Sequence, residues 1–402
     1  MGDMGRHGSA ALVLGRSVND PDSPAAEDRP ISSAGTMHLM TVAPQQSGQD
    51  RSCLIPNLLT YPGPMVVLDV DGVTHAATAE ARQAMGQTVV RLDPFGVTGP
   101  ETDALEPLDL LNGQEEPAIT SRCLDIAGLL PLRRDGVDAA DDEAFSLISA
   151  LIGYVYAAPG KGTFNALYDT LFDPDFTHSM AVALDTVGKH LSKVSYAELA
   201  LHLGRDEFLR TRTLAVVRSC FEALGTPEVR RTLSPSTLAI SRAHREEPTT
   251  VYLVLPADRV TSHAALLRLW LGTLLLGRED HQVRAGHPTV FLLDRCADLG
   301  PFPLLESLLT MRSEGPEGSE AGVRIWTFWH DVNQLRATCP DRWREIVSGC
   351  DAVQFFATKD AGAAAGADAL LGLSPGSIWS LGPADQMLVL DGTPRRTRRP
   401  AL

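Results

Sequence analysis

The sequence predicts an α/β protein: a parallel-dominated sheet with helices on both faces, interrupted by an all-helical insertion. Three observations carry this. From Met37 onward, short apolar runs alternate with helical stretches, which is the pattern of parallel strands joined by crossover helices. From about Ile119 to Thr232 the periodicity becomes helical alone; in "EAFSLISALIGYVYAA", Phe145, Ile148, Leu151, Ile152 and Val155 fall on one stripe. Strand signals then return at 249 and continue to the end of the chain.

In order, residues 1–36 read as a polar N-terminal arm with one short strand at "AALVLG". "HLMTVA" is a strand, "RSCLIPNLLTY" a helix, "GPMVVLDV" a strand, "THAATAEARQAMG" a helix and "QTVVRLDPF" a strand. Residues 119–232 form the inserted helical domain. "TTVYLVLP", "PTVFLLDR", "VRIWTFWH" and "DAVQFFAT" resume the strands, and "AGAAAGADALLG" suits a helix because of its alanines. The tail "SIWSLGPADQMLVLDGTPRR" reads as two short strands and a turn. Residues 37–118 and 233–402 therefore make one α/β domain around the insertion.

Composition narrows the function classes. Of 402 residues, 44% are hydrophobic and 21% charged, as in soluble globular proteins. Lys and Arg total 35 against 50 Asp and Glu, a net charge of -15, which argues against a nucleic-acid-coating basic surface but not against a basic lining inside a ring or channel. Six scattered cysteines form no CxxC pair, so reduced, mostly core thiols are expected and no metal site. No apolar run reaches the roughly 18–20 residues of a membrane helix, and "HAALLRLWLGTLLLGRE" is interrupted by Arg268. The expectation is a cytoplasmic protein with no membrane span.

Residues 42–61, "VAPQQSGQDRSCLIPNLLTY", have the layout of a phosphate-binding loop between a strand and a helix. Such a loop turns backbone N–H groups toward phosphate, neutralises it with Lys and holds Mg²⁺ with a hydroxyl. Here Gly48 is kept and Ser47 precedes it, while the first glycine position falls at Pro44, Gln45 or Gln46. Gln49 stands in the Lys place and Asp50 in the hydroxyl place. Gln carries no charge, and Asp repels phosphate. The end of "VFLLDRCADLG" has the form of the second nucleotide motif, in which an Asp supports Mg²⁺ and the next residue, a Glu, activates water. Asp294 keeps the first role available; Arg295 cannot be a general base. A buried strand ending in a turn-forming Asp explains the same residues.

Together these blocks resemble the type IV secretion coupling proteins, the TraG/TraD-like conjugative DNA-transfer ATPases. "HGSAALV" is similar to the family's opening segment. "VAPQQSGQDRSCLIPNLLTYPGPMVVLDVDG" resembles its phosphate loop, its Pro-Asn-Leu-Leu helix and the strand ending in Asp-x-Lys-Gly-Glu. "RLDPF" and "EPLDLL" match the next strand and the Asn-Pro-Leu turn. "TVFLLDRCADLG" resembles Leu-Leu-Asp-Glu-Phe-x-x-Leu-Gly, and "WHDVNQLRATCPDRW" the Gln-Asp-x-x-Gln-Leu segment. The resemblance implies a RecA-like P-loop domain with a helical insertion, a ring, and DNA or protein passing toward a secretion channel.

The departures fall on the chemistry. Gln49 replaces Lys, Asp50 replaces Ser or Thr, Asp71 and Val73 replace the Lys and Glu of Lys-Gly-Glu, Arg295 replaces the catalytic Glu, and His330 stands where the family has a Gln near the γ-phosphate. Pro56, Asn57, Leu58, Leu59, Asp93, Pro94, Asp294, Leu299, Gly300, Gln334 and Leu335 keep the frame. The family's N-terminal membrane helices have no counterpart here. The reading is a soluble pseudo-ATPase, a structural or regulatory component of a conjugative DNA or protein transfer system, peripheral to an inner-membrane secretion complex. Its vestigial nucleotide site is Pro44, Gln45, Gln46, Ser47, Gly48, Gln49, Asp50, Arg51 and Asp294. No cofactor is required; ATP with Mg²⁺ is the alternative. The implied partners are copies of itself or an intact relative, secretion or conjugation apparatus proteins, and DNA. Two other readings stand beside this one. One is a working motor that replaces the Lys with Arg51, Arg295 or a neighbouring subunit's Arg, although Arg51 lies about 200° around an α-helix from the Lys position. The other is a DNA-binding adaptor without nucleotide.

Overall fold

The computed structural model describes residues 11–18, 29–132, 139–160, 162–237, 248–279, 287–311 and 322–400. The beginning of the "HGSAALV" match, residues 7–10, lies outside them. Among the described residues one eleven-stranded sheet organises the chain. Its strands are β1 (Leu12–Ser17), β2 (Pro30–Ser33), β3 (His38–Val42), β4 (Met65–Val70), β5 (Thr88–Leu92), β6 (Thr249–Leu255), β7 (Thr289–Leu293), β8 (Val323–Trp329), β9 (Cys350–Phe356), β10 (Asp385–Leu390) and β11 (Thr393–Arg398). Their order is β2-β1-β11-β10-β9-β3-β8-β7-β4-β6-β5. From β9 to β5 every neighbouring pair is parallel; from β9 to β2 every pair is antiparallel.

The parallel strands read as continuous apolar runs because both faces are covered. Alternate residues serve opposite cores. Met40, Val42, Val66, Leu68, Val251, Leu253, Phe291 and Leu293 face one core. Leu39, Met65, Val67, Tyr252, Val254, Val290 and Leu292 face the other. Helix α1 (Ile55–Thr60) covers the second face with Leu58. Helix α2 (Val73–Ala84) links β4 to β5.

Between β5 and β6 every described regular element is helical: α3 (Ala118–Ala127), α4 (Ala139–Ala157), α5 (Phe164–Leu171), α6 (Phe176–Val187), α7 (Lys193–Gly204), α8 (Glu207–Phe221) and α9 (Pro227–Thr232), with short 3-10 turns. Ile148, Leu151, Ile152 and Val155 of α4 are fully buried, and Phe145 packs beside them. The chain enters and leaves this segment along one neck. Leu105 N–H donates to Thr232 O (2.9 Å), Thr237 N–H to Ala104 O (3.1 Å) and Glu106 N–H to the Ser236 hydroxyl (2.8 Å). Within the neck the buried Glu106 carboxyl group takes two backbone N–H groups, from Leu108 (3.1 Å) and Phe164 (2.9 Å), on Oε1, and its Oε2 has no partner.

Helix α10 (Ala264–Glu279) follows β6. Its interrupting arginine has a structural reason. The buried Arg268 guanidinium donates to the carbonyls of Leu129 (2.8 Å) and Leu130 (3.0 Å), just past α3, and of Pro301 (2.9 Å). It ties the helical segment to the loop after β7. The remaining helices are α11 (Pro303–Thr310), α12 (Val332–Thr338), α13 (Trp343–Ser348) and α14 (Ala361–Leu371), the last being the alanine-rich stretch.

The N-terminal arm differs from the sequence reading. It contributes two strands, not one: β2 pairs with β1, and β1 pairs with β11. "PISS" carries one apolar residue because β2 lies at the sheet edge, so its polar composition hid it. All six cysteines are free; five are buried and Cys350 is partly exposed. No described helix is long and apolar enough to cross a membrane.

Candidate functional site

The site lies at the C-terminal edge of the parallel strands, where β3, β8, β7 and β4 end side by side. After β3, Ala43 N–H donates to Trp329 O (2.8 Å), which fixes the start of the loop against the end of β8. Ser47 N–H closes a turn onto Pro44 O (3.1 Å). Gln46 (φ 58°) and Gly48 (φ 86°) are left-handed. A Cβ at Gly48 would meet nothing within 4 Å, so glycine is needed for its backbone angle and not for space. Ser52 then donates twice to Gly48 O, through N–H (3.0 Å) and hydroxyl (2.7 Å). The strand–loop–helix path expected for residues 44–50 is thus present.

The helix after the loop opens with a π-helical turn, Asp50–Leu54, closed by Ile55 N–H on Asp50 O. Pro56 accounts for it. Proline has no N–H to give Ser52 O, and its ring crowds that carbonyl, so the turn widens. One residue later Asn57, fully buried, holds Val13 at both backbone groups (2.7 and 2.9 Å) and also donates to Cys53 O (2.8 Å). Beneath the helix, Thr41 donates to Gln354 (2.7 Å) and accepts from the Trp326 indole (2.8 Å); Gln354 and Gln386 both donate to Leu14 O (2.6 and 2.7 Å).

The residues expected to carry chemistry are brought together, and their side chains bond to the protein's own groups. The Gln49 carboxamide oxygen accepts from the Ser47 hydroxyl (3.3 Å). Burial pushes Asp294 above the usual carboxylate range; the Arg295 N–H (2.9 Å), the Gln49 amide and the nearby charges of His330 and Arg295 oppose that shift. Arg295 is left-handed (φ 53°). Its side chain turns to Asp298 (2.5 Å) and Ala257 O (3.0 Å), the latter just past β6. His330 donates its N–H to Gln334 (2.8 Å). Gln45, Gln46 and Arg51 are exposed.

The neighbouring strand ends keep their acids. Asp69 accepts from Thr74 N–H (3.0 Å) and His75 N–H (2.7 Å) at the start of α2, and burial pushes it up to about 6. Asp93 accepts from Val97 N–H (3.0 Å), Thr98 N–H (2.7 Å) and the Thr98 hydroxyl (2.7 Å). Asp71, in the place of the turn Lys, accepts from Ala257 N–H (2.9 Å).

Mg²⁺-ATP does not fit this set. The place of the phosphate cation holds a neutral amide, bonded to the Ser47 hydroxyl. The hydroxyl place holds a carboxylate, and Arg295 is committed to Asp298. Among the described residues no group of three or more His, Cys, Asp or Glu side chains is placed to hold a metal ion.

Sequence reasoning missed Arg399. Its guanidinium stacks over the Phe356 ring (4.6 Å to the centroid), donates to Ser47 O (2.5 Å) and also bonds Pro383 O. The arginine run "RRTRR" was visible in the tail, but nothing local connects it to a loop 352 residues earlier.

A family model described as "Type IV secretory system Conjugative DNA transfer" matches residues 13–340. Protein VirD4 of Rhizobium radiobacter is 26% identical over 330 residues, covering 80% of this chain and 46% of that protein. Conjugal transfer protein TraG of Escherichia coli is 24% identical over 322 residues, covering 76% of this chain and 50% of that protein. The chain spans about half the length of these curated relatives. Among solved structures, the unbound bacterial conjugative coupling protein TrwBdeltaN70 superposes with a TM-score of 0.71 at 13% identity, covering 98% of this chain and 93% of that one. Plasmid coupling protein TrwB in complex with a non-hydrolysable ATP analogue gives 0.70 at 13% identity, with coverages of 100% and 97%. With a RecA-like α/β sheet and a phosphate-loop path on the page, and with most of its length inside the family match, the chain belongs to the type IV secretory system conjugative DNA transfer family, the coupling proteins.

Proposed function

We propose that this chain is a pseudo-ATPase of the coupling-protein family, a structural or regulatory component of a conjugative DNA or protein transfer system. The observation that carries the reading is that Gln49 and Asp50 fill the cation and hydroxyl places of the loop, Gln49 bonded to Ser47, with Arg295 held by Asp298 and Ala257. Phosphoryl transfer takes its rate from placed cations and an oriented water. Losing one preorganised donor to developing charge costs about 3–4 kcal/mol, or roughly a hundred- to a thousandfold in rate. Here the phosphate cation, the metal hydroxyl, the water activator and the γ-phosphate contact are all replaced.

In this reading residues 119–232 act as an inserted helical domain. The partners are further copies or an intact relative, apparatus proteins of the secretion or conjugation system, and DNA. Its place is the cytoplasmic face of an inner-membrane secretion complex.

The test is phosphate release by purified protein, alone and with DNA, beside calorimetric titration of Mg²⁺-ATP. The expected result is release at the buffer rate and no binding. The triple replacement Gln49→Lys, Asp50→Thr, Arg295→Glu is expected to regain binding before turnover. Sustained turnover by the wild type that disappears on Asp294→Ala makes the chain a motor and ends the pseudo-ATPase reading.

A further inference from the structure

The last strand of the sheet carries the densest positive charge of the chain. In β11 and the residue after it, Arg395, Arg396, Arg398 and Arg399 fall within five positions of a protein whose net charge is -15. Two of the four are taken. Arg396 pairs with Asp385 (2.5 Å), and Arg399 donates to Ser47 O (2.5 Å). Arg395 and Arg398 are exposed, and among the described residues neither side chain has a hydrogen bond or an ion pair. The register explains Arg398. Its cross-strand neighbours are Asp385, which Arg396 occupies, and Arg16 of β1, a like charge directly opposite. Such a pair costs stability, and an external anion relieves it.

The form of the strand selects the kind of anion. β1 pairs with β11 only at Thr397 and Arg398, so from Thr393 to Arg396 the outer edge of β11 has no strand beside it. Side chains alternate between faces, which puts Arg395 on one side of this edge and Arg396 and Arg398 on the other. A polyanionic chain is held by charges that converge on a groove; guanidinium groups on both sides of an open edge suit a plane that the edge meets. The loop leading into β10 adds an indole. Arg399 bonds this loop at Pro383 O and Ala384 O, and between buried Ile378 and Leu381 the Trp379 ring is 53% exposed. Arginine with exposed tryptophan is the combination that anchors proteins at the headgroup level of a membrane. We propose that β11 and Trp379 form a docking edge for an anionic lipid surface. It rests on the reading that the chain works at the cytoplasmic face of an inner membrane. The acidic remainder of the protein does not oppose the contact, because charges more than about 8 Å away are largely screened at physiological salt.

The test is co-sedimentation of the full chain with phosphatidylcholine vesicles carrying about 30% phosphatidylglycerol, beside vesicles of phosphatidylcholine alone. Binding is expected only to the first and is expected to vanish at about 0.5 M salt. Arg395→Gln with Arg398→Gln is expected to weaken it roughly twenty- to thirtyfold, and Arg395→Lys with Arg398→Lys to leave it within about twofold. Both side chains are exposed, so an unchanged urea midpoint is the folding control. The other four tryptophans are buried, so a blue shift of emission on binding, absent in Trp379→Phe, reports Trp379. A wild type that ignores the anionic vesicles, binds both kinds equally, or binds no better than the glutamine variant overturns the docking edge. If single-stranded oligothymidylate binds more tightly than the vesicles, and through the same two arginines, the edge belongs to nucleic acid and the proposal falls. Each of these failures leaves the pseudo-ATPase reading standing, since phosphate release decides that separately.

Discussion

The strand ends at β4 and β5 differ from those at β3 and β7 in what their polar side chains hold. Asp69 and Asp93 each grip two backbone N–H groups of the turn that follows them. Asn57 holds β1 by accepting the Val13 N–H and donating to the Val13 carbonyl. All three match the pattern that the resemblance implies. By the same resemblance the departures are Gln49, Asp50 and Arg295 beside β3 and β7, proposed to have lost a ligand, and the exposed Asp71 just past β4. A side chain whose partner is the protein's own backbone cannot change without orphaning a buried group. A side chain whose partner is a ligand can change once the ligand is not needed. The same division explains Gln334, which holds the His330 N–H (2.8 Å) and is kept while His330 is not.

The comparison breaks first at Asn57. Asn57→Ala orphans the Val13 N–H and C=O and removes the bond to Cys53 O, so urea denaturation is expected to show a loss of about 3–5 kcal/mol. A loss below about 1 kcal/mol would show that the kept residues are not kept for the backbone.

Glu106 sharpens the contrast, because it is backbone-bound on one oxygen only. Burial pushes it up to about 8 from an ordinary value of 4.5, against the pull of the Leu108 and Phe164 N–H groups. The folded state keeps the proton to about 8, and the unfolded chain releases it from about 4.5. The stabilisation is therefore fully present below 4.5 and is lost as pH rises through 8. Stability at pH 9 is expected to fall below that at pH 5 by an amount of the order of 4 kcal/mol attributable to this group. Asp69 acts in the same direction at lower pH, so the difference between wild type and Glu106→Gln isolates the neck. Parallel pH profiles for the two proteins would remove Glu106 from the account.

The smallest effect is expected at the changed positions. Gln49→Ala shifts global stability by less than about 1 kcal/mol, because its contacts are near the surface and the loop opens locally. A larger loss in the urea midpoint would place Gln49 among the structural residues.

The parallel core was legible because each strand is a short apolar run bounded by turn residues, and the helical segment because α4 repeats its stripe without a β-rich break. The phosphate-loop path was legible from Gly48 and its flanks. The π turn had a visible cause in Pro56 that went unread. The pairing of Arg295 with Asp298 is three residues long and was readable in principle. β2 was not, since an edge strand needs little apolar character, and neither was Arg399 on Ser47, whose contact depends on where the last strand of the sheet comes to rest.

The sheet order sets a timetable for synthesis. β3 lies between β8 and β9, and its Leu39 pairs with Trp326, roughly 290 residues later in the chain. At about 5–20 residues per second, a ribosome takes on the order of 15–60 s to deliver that neighbour. Through that interval a strand buried at every position in the finished protein has no partner on either side. The loop-bearing strand is thus made early and flanked late, and an apolar segment of the nascent chain waits unpaired through that interval.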